Sequence, residues 1–126
     1  MYGVMRKENY MSSRIKNVLK AITIFIIVLI ITYINDEYVR AYFHEYNKVL
    51  RLVDHILSGV AFPLILYLLG LKIHYACFYY LVWCTHWEMG QYLERGYFQY
   101  FQFMSDIMGM GVAACVYKID KIRVDK

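Results

Sequence analysis

Charge is scarce in this chain. Of its 126 residues 19% are charged and 60% hydrophobic, and the mean hydropathy is +0.36. A soluble domain of this length needs charge spread along every helix; here it is confined to short stretches between apolar blocks, which reads as an integral membrane protein. Cysteine is also sparse. Cys77, Cys84 and Cys115 all lie within apolar runs, with neither a Cys-x-x-Cys spacing nor an even count, so a disulfide framework is not indicated and buried thiols are expected. The single proline, Pro63, falls inside an apolar run, where a spanning helix tolerates it as a kink. A small-x-small cleavage site and a lipobox cysteine are both missing after the first apolar run, so that run reads as an uncleaved anchor.

The basic residues do not suggest nucleic acid. Although the formal net charge is +4, Arg6, Lys7, Arg14, Lys16 and Lys20 gather at one end and Lys118, Lys121, Arg123 and Lys126 at the other. Both groups flank hydrophobic segments, where basic residues set topology, so no nucleic-acid partner is expected.

Taken in order, the chain opens with a polar, basic tail over 1–17 on which the pattern forces no fold. Residues 18–34 form the first spanning candidate, long enough at about 1.5 Å per residue to reach roughly 25 Å. Residues 35–53 mix charge with Tyr38, Val39, Tyr42, Phe43, Tyr46, Val49, Leu50 and Leu52 at three- and four-residue spacing. That is the pattern of an interfacial amphipathic helix, and equally of a solvated connector. Three further spans are expected at 54–73, 74–92 and 98–117, the first leaving through a tight turn at Gly70-Leu71-Lys72, before a basic tail at 118–126. The fold class is therefore all-α, a polytopic bundle of four transmembrane helices.

Four spans put both termini on one side. On the side of the termini the segments carry Arg6, Lys7, Arg14, Lys16, Lys20, Lys72, Lys118, Lys121, Arg123 and Lys126, ten residues; on the other they carry Arg40, Lys48, Arg51 and Arg95, four. This bias predicts an inner (plasma) membrane protein with both termini cytoplasmic.

The most informative stretch is Thr85 to Arg95, polar between two apolar runs. Glu88, Gln91 and Arg95 fall at i, i+3 and i+7 of a helix and share a face, which Cys84 or Thr85 extends by a turn, while Trp83, Trp87 and Tyr92 take the opposite face and suit lipid or the headgroup boundary. Asp106 stands beside Ser105, Gly109 and Ala113, a small-residue stripe along which helix backbones can approach, so it is expected to face the bundle. Asp54 and His55 open the second span. By topology Asp54, His55, Glu88, Gln91, Arg95 and Asp106 all reach one depth beneath the outer surface.

These motifs resemble the VanZ-like membrane family, over roughly residues 47–117. Glu88-Met89-Gly90-Gln91 is similar to that family's Glu-x-x-Gln, Arg95-Gly96 to its Gly/Arg turn in reversed order, and Ser105 to Gly109 to the acidic start of its last helix. Either Lys48 with Arg51, or Asp54 with His55, stands where the family has Lys-x-x-His, and Met110 replaces its asparagine. The resemblance implies a role in the cell envelope and no defined reaction.

Two readings follow. In the first, the protein binds, and has groups to modify, a lipid or lipid-linked cell-wall molecule. Glu88, Asp106 and His55 are then the candidate catalytic set, with one carboxylate beside Arg95 and the other not, and Asp54, Gln91 and Arg95 bind the headgroup. In the second it is a non-enzymatic small membrane protein, phage-type or accessory, in which Arg95 neutralises a carboxylate and Gln91 and His55 complete a structural network. A homo-oligomer or a membrane protein partner fits either. No cofactor is expected, and no metal: His86 and Glu88, two apart, point about 200° apart on a helix. The aromatic cluster Tyr97, Phe98, Tyr100, Phe101 and Phe103 reads as an interfacial belt.

Overall fold

A computed structural model of the chain describes residues 2–125. The described residues are almost entirely helical. Helix α1 (Tyr2–Ile34) runs on through a π-helical segment, Asn35–Val39, into the short α2 (Arg40–Tyr42); a bend at Phe43 and a 3₁₀ turn, His44–Tyr46, lead to α3 (Asn47–Leu68), α4 (Ile73–Arg95) and α5 (Tyr100–Asp125). Two helical stretches, Gly3–Tyr42 and His44–Leu68, are long and apolar enough to cross a membrane.

Several boundaries differ from those read off the sequence. The 1–17 tail is helical from Tyr2 and continuous with the first apolar run. The region 35–53 contains no separate amphipathic helix: its first part ends α1 through the wider π turn, and 47–53 is the beginning of α3. Its three- and four-residue spacing was therefore two helix ends seen in series. At the other end α5 carries the basic tail as helix to Asp125. The turn at Gly70 is present, with φ at +116°, a conformation glycine adopts without strain. Gly96, at φ +80°, ends α4 in the same way and donates its N–H to the Tyr92 carbonyl.

Helix α3 is the centre of the bundle. It packs against α1 on one side and α4 and α5 on the other, whereas α1 touches neither α4 nor α5. The α3–α5 crossing is close because both sides lack a side chain: a Cβ placed on Gly109 would stand 2.8 Å from the Gly59 Cα and closer still to the Ile56 carbonyl oxygen. Ser105 and Ala113, one turn to either side of Gly109, are buried in the same seam. Pro63 is also buried, and it withholds the N–H that the Gly59 carbonyl, four residues earlier, would otherwise accept in the helix. The kink element and the close-approach element thus share one turn of α3.

Burial is inverted relative to a water-soluble fold. Among the described residues the buried set consists of Ala21, Ala61, Ala76, Ala113, Gly59, Gly109, Pro63, Tyr80 and Cys84 with the polar Asn35, Glu88, Gln102, Ser105 and Asp106, while no Leu, Ile, Val, Phe or Met is fully buried. The large apolar side chains point outward: Phe25, Ile26, Ile27, Leu29 and Ile30 on α1, Phe78, Val82, Trp83 and Trp87 on α4, Met104, Met108 and Val112 on α5. Among the described cysteines all are free, and only Cys84 lies in the bundle; Cys115 is exposed, a correction to the expectation of three buried thiols.

Candidate functional site

One face of α4 supplies a continuous line, Ala76, Tyr80, Cys84, Glu88, Gln91 and Arg95, at spacings of four and three, and its first four members are buried. From α5 comes the line Gln102, Asp106, Gly109 and Ala113, and from α3 the line His55, Gly59 and Pro63. Where these lines meet, two polar groupings form, and they differ in how completely their hydrogen bonds are met.

The first is centred on Asp106, 5% exposed. Its Oδ1 is 3.0 Å from His55 Nδ1 and accepts a hydrogen bond of 3.1 Å from the Tyr80 hydroxyl. Helices α3, α4 and α5 are thereby joined through one carboxylate oxygen. The His55 side chain is 20% exposed, so the imidazole forms the edge of this grouping. If Nδ1 carries the proton donated to Asp106, Nε2 is the free acceptor, an arrangement in which a carboxylate fixes the tautomer and orientation of a base.

The second grouping is centred on Glu88, 1% exposed and the largest fully buried polar side chain among the described residues. Arg95 Nη2 lies 4.0 Å from Glu88 Oε2, at the limit of ion-pair distance and beyond a hydrogen bond. The guanidinium is instead held by the Gln91 side-chain oxygen, to which Nη2 donates, and by the Tyr97 ring, whose centroid is 5.3 Å away. Both Glu88 oxygens, Gln99 Oε1 and Gln102 Oε1 are buried without a partner among the described residues, as is one donor, Arg95 Nε. Such groups cost about 1–3 kcal/mol each when left unmet, and more when charged. Each glutamine also carries an amide NH2, so with Arg95 the set offers donors beside its acceptors, and a molecule bearing both a hydroxyl or ammonium group and an anionic oxygen matches it.

The six residues read from the sequence therefore separate. His55 and Asp106 bond to each other; Glu88, Gln91 and Arg95 form the neighbouring group on α4. Asp54 goes elsewhere. It is one residue before His55, which on a helix turns it about 100° away, and it faces α1, where Asn35 Nδ2 donates 2.9 Å bonds to Asp54 Oδ1 and to the Leu50 carbonyl. Beyond it Arg40 bridges Asp36 and Asn47, each at 2.6 Å. This α1–α3 clamp is a third polar grouping, on the face of α3 turned toward α1.

Sequence reasoning missed Tyr80, Asn35, Gln99 and Gln102. Tyr80 and Gln102 were detectable in principle, since each stands a whole number of turns from Glu88 or Asp106 on the same face; Asn35 and Gln99 lie at helix ends, where periodicity gives little warning. His86 is exposed on the face of α4 away from Glu88, and among the described residues no three His, Cys, Asp or Glu side chains gather as a metal set. Trp83, Trp87 and Tyr92 are exposed opposite the polar line.

Comparison of the chain with protein families, with curated proteins and with solved structures gives no match.

Proposed function

We propose that this chain is a small membrane protein of the cell envelope that binds the polar headgroup of a lipid or lipid-linked molecule at the Glu88 grouping. The single observation that carries the reading is Glu88 itself, a carboxylate 1% exposed whose oxygens have no side-chain hydrogen bond among the described residues. A buried ionisable group with unmet bonds carries a folding cost that a bound donor would offset. The groups present define the partner's chemistry: hydroxyl or ammonium donors for Glu88, Gln99 and Gln102, and an anionic oxygen, such as a phosphate ester, for Arg95.

The membrane setting is supported by the inverted burial, with large apolar side chains facing outward on α1, α4 and α5 around a small and polar interior. Four crossings, with both termini at the cytoplasmic face of the inner membrane, agree with the ten-to-four division of basic residues. In that arrangement Glu88 and Asp106 sit toward the outer leaflet. The VanZ-like motifs at Glu88–Gln91 and Ser105–Gly109 are the ground for assigning the envelope.

Acid–base chemistry on the bound headgroup is a further capacity of the same region, with His55 moving the proton and Asp106 orienting it. The competing reading, in which the cluster serves only to hold the helices, is favoured by a specific observation at Asp106, whose contacts with His55 and Tyr80 are those of a clamp. The two readings part at Glu88. Full-length protein released from native membrane is examined by native mass spectrometry, wild type beside Glu88→Gln. Lipid or lipid-linked adducts on the wild type that fall away in the variant support headgroup binding. If the folded variant keeps the same adducts in the same proportion, the Glu88 grouping is not a ligand site and the structural reading stands.

A further inference from the structure

We propose a second ligand site at the opposite end of the bundle, a basic cleft that takes the phosphate of an anionic phospholipid. The cleft, of about 940 Å³, opens where α1 stands off from α5 beside the α3–α4 turn, and its walls come from every long helix. Arg14 and Lys20 of α1, Lys72 of the turn and Lys121 of α5 line it, against one acid, Asp120. All four cations are exposed, and among the described residues none is within ion-pair distance of a carboxylate.

Three features make this a receptor for a phosphate carried on a lipid. First, four like charges brought to one cleft repel one another, and a shared phosphate anion removes that repulsion. Second, the polar wall includes Ser13, Asn17 and His74, which can donate to phosphate oxygens, and α4 begins in the cleft with no side chain capping its first turn, so its amides add to the positive potential. Third, the same cleft is bordered by Leu68, Leu69 and Leu71, and α1 packs on α3 without touching α4 or α5, which leaves a lateral opening for acyl chains. Tyr67 and Tyr117, stacked edge to face at 4.8 Å, form its aromatic wall, with the Lys121 ammonium 6.0 Å from the Tyr117 ring. The site shares no residue with the Glu88 grouping and does not depend on what binds there.

The test uses the full chain in phosphatidylcholine nanodiscs containing a minor fraction of phosphatidylglycerol, with the lipids retained after mild release counted by native mass spectrometry. The cleft variant is Arg14→Gln, Lys20→Gln, Lys72→Gln and Lys121→Gln together. Its control removes the same charge from the same end outside the cleft, with Lys7→Gln, Lys16→Gln, Lys118→Gln and Arg123→Gln. Wild type and control should retain phosphatidylglycerol over phosphatidylcholine, and each cleft cation removed should cut that preference by about fivefold. Inorganic phosphate is then added: phosphatidylglycerol that stays bound marks a lipid-borne phosphate, whereas displacement shows that the same cations take the free anion. No preference in the wild type, or equal loss in the cleft variant and the control, would overturn the site.

Discussion

A methyl group added at Gly109 should do more damage than its size suggests. The new Cβ would lie 2.8 Å from the Gly59 Cα and nearer still to the Ile56 carbonyl oxygen, whereas carbon atoms settle at about 3.5–4.0 Å. Helices α3 and α5 must then part by roughly 1 Å. Asp106 is one turn before Gly109 and His55 one turn before Gly59, so the same displacement stretches the 3.0 Å contact between them toward about 4 Å, outside hydrogen-bond range. Overpacking contributes about 1–3 kcal/mol, the weakened bonds to a buried carboxylate about 1–3 kcal/mol more, and the better helix propensity of alanine returns about 1 kcal/mol. A net destabilisation of about 1–5 kcal/mol is expected for Gly109→Ala. The assay is reversible unfolding in mixed micelles, read by circular dichroism. Gly111→Ala is the internal control: two residues along the same helix, its Cβ meets nothing within 4 Å, so only the propensity gain applies and stability should hold or rise. Equal behaviour of the two variants would refute the close crossing and the register of α3 on α5.

Two further substitutions probe the polar groupings separately. Tyr80→Phe removes one of the two donors to Asp106 and should cost about 1 kcal/mol in the same unfolding assay, with the backbone signal unchanged; no loss would mean that the hydroxyl is not in the clamp. Asn35→Ala strips α1 of its bonds to Asp54 and the Leu50 carbonyl and should cost about 1–3 kcal/mol, and because α1 touches only α3, crosslinking between α1 and α3 should fall while that between α3 and α5 is unaffected. A matching fall in both would show that the α1 clamp and the α3–α5 seam are not independent.

How much of this could be read from the chain depends on which regularity carried the information. The line Glu88, Gln91 and Arg95 and the stripe Ser105, Gly109 and Ala113 follow directly from 3.6-residue periodicity, and α4 and α5 present them to the bundle as the spacing requires. The partner of each was not legible. Asp54 and His55 are adjacent in sequence and equally polar, yet α3 has α1 on one side and α4 with α5 on the other, and only the packing order decides which of the two meets Asp106. Gly59, which permits the closest contact in the fold, carries no polar signal at all. The break at Phe43 was hidden for a different reason: neither glycine nor proline marks it, and the chain turns there through φ −100°, ψ 63° at an ordinary residue. The π turn at Asn35–Val39 was likewise unmarked, although it leaves Asn35 buried, where its side chain meets Asp54.

On the function proposed above the cluster has two halves, Asp106 holding helices and Glu88 left for a ligand. The most direct measurement is the unfolding free energy of Asp106→Asn and Glu88→Gln, side by side, in ligand-free micelles. Asparagine at 106 loses the charge that its two donors address and should destabilise by about 1–3 kcal/mol, whereas glutamine at 88 keeps the shape of the side chain and gives up only the 4.0 Å approach of Arg95, so it should cost less than Asp106→Asn. A Glu88→Gln protein destabilised as much as Asp106→Asn would contradict the claim and make both carboxylates parts of one structural network.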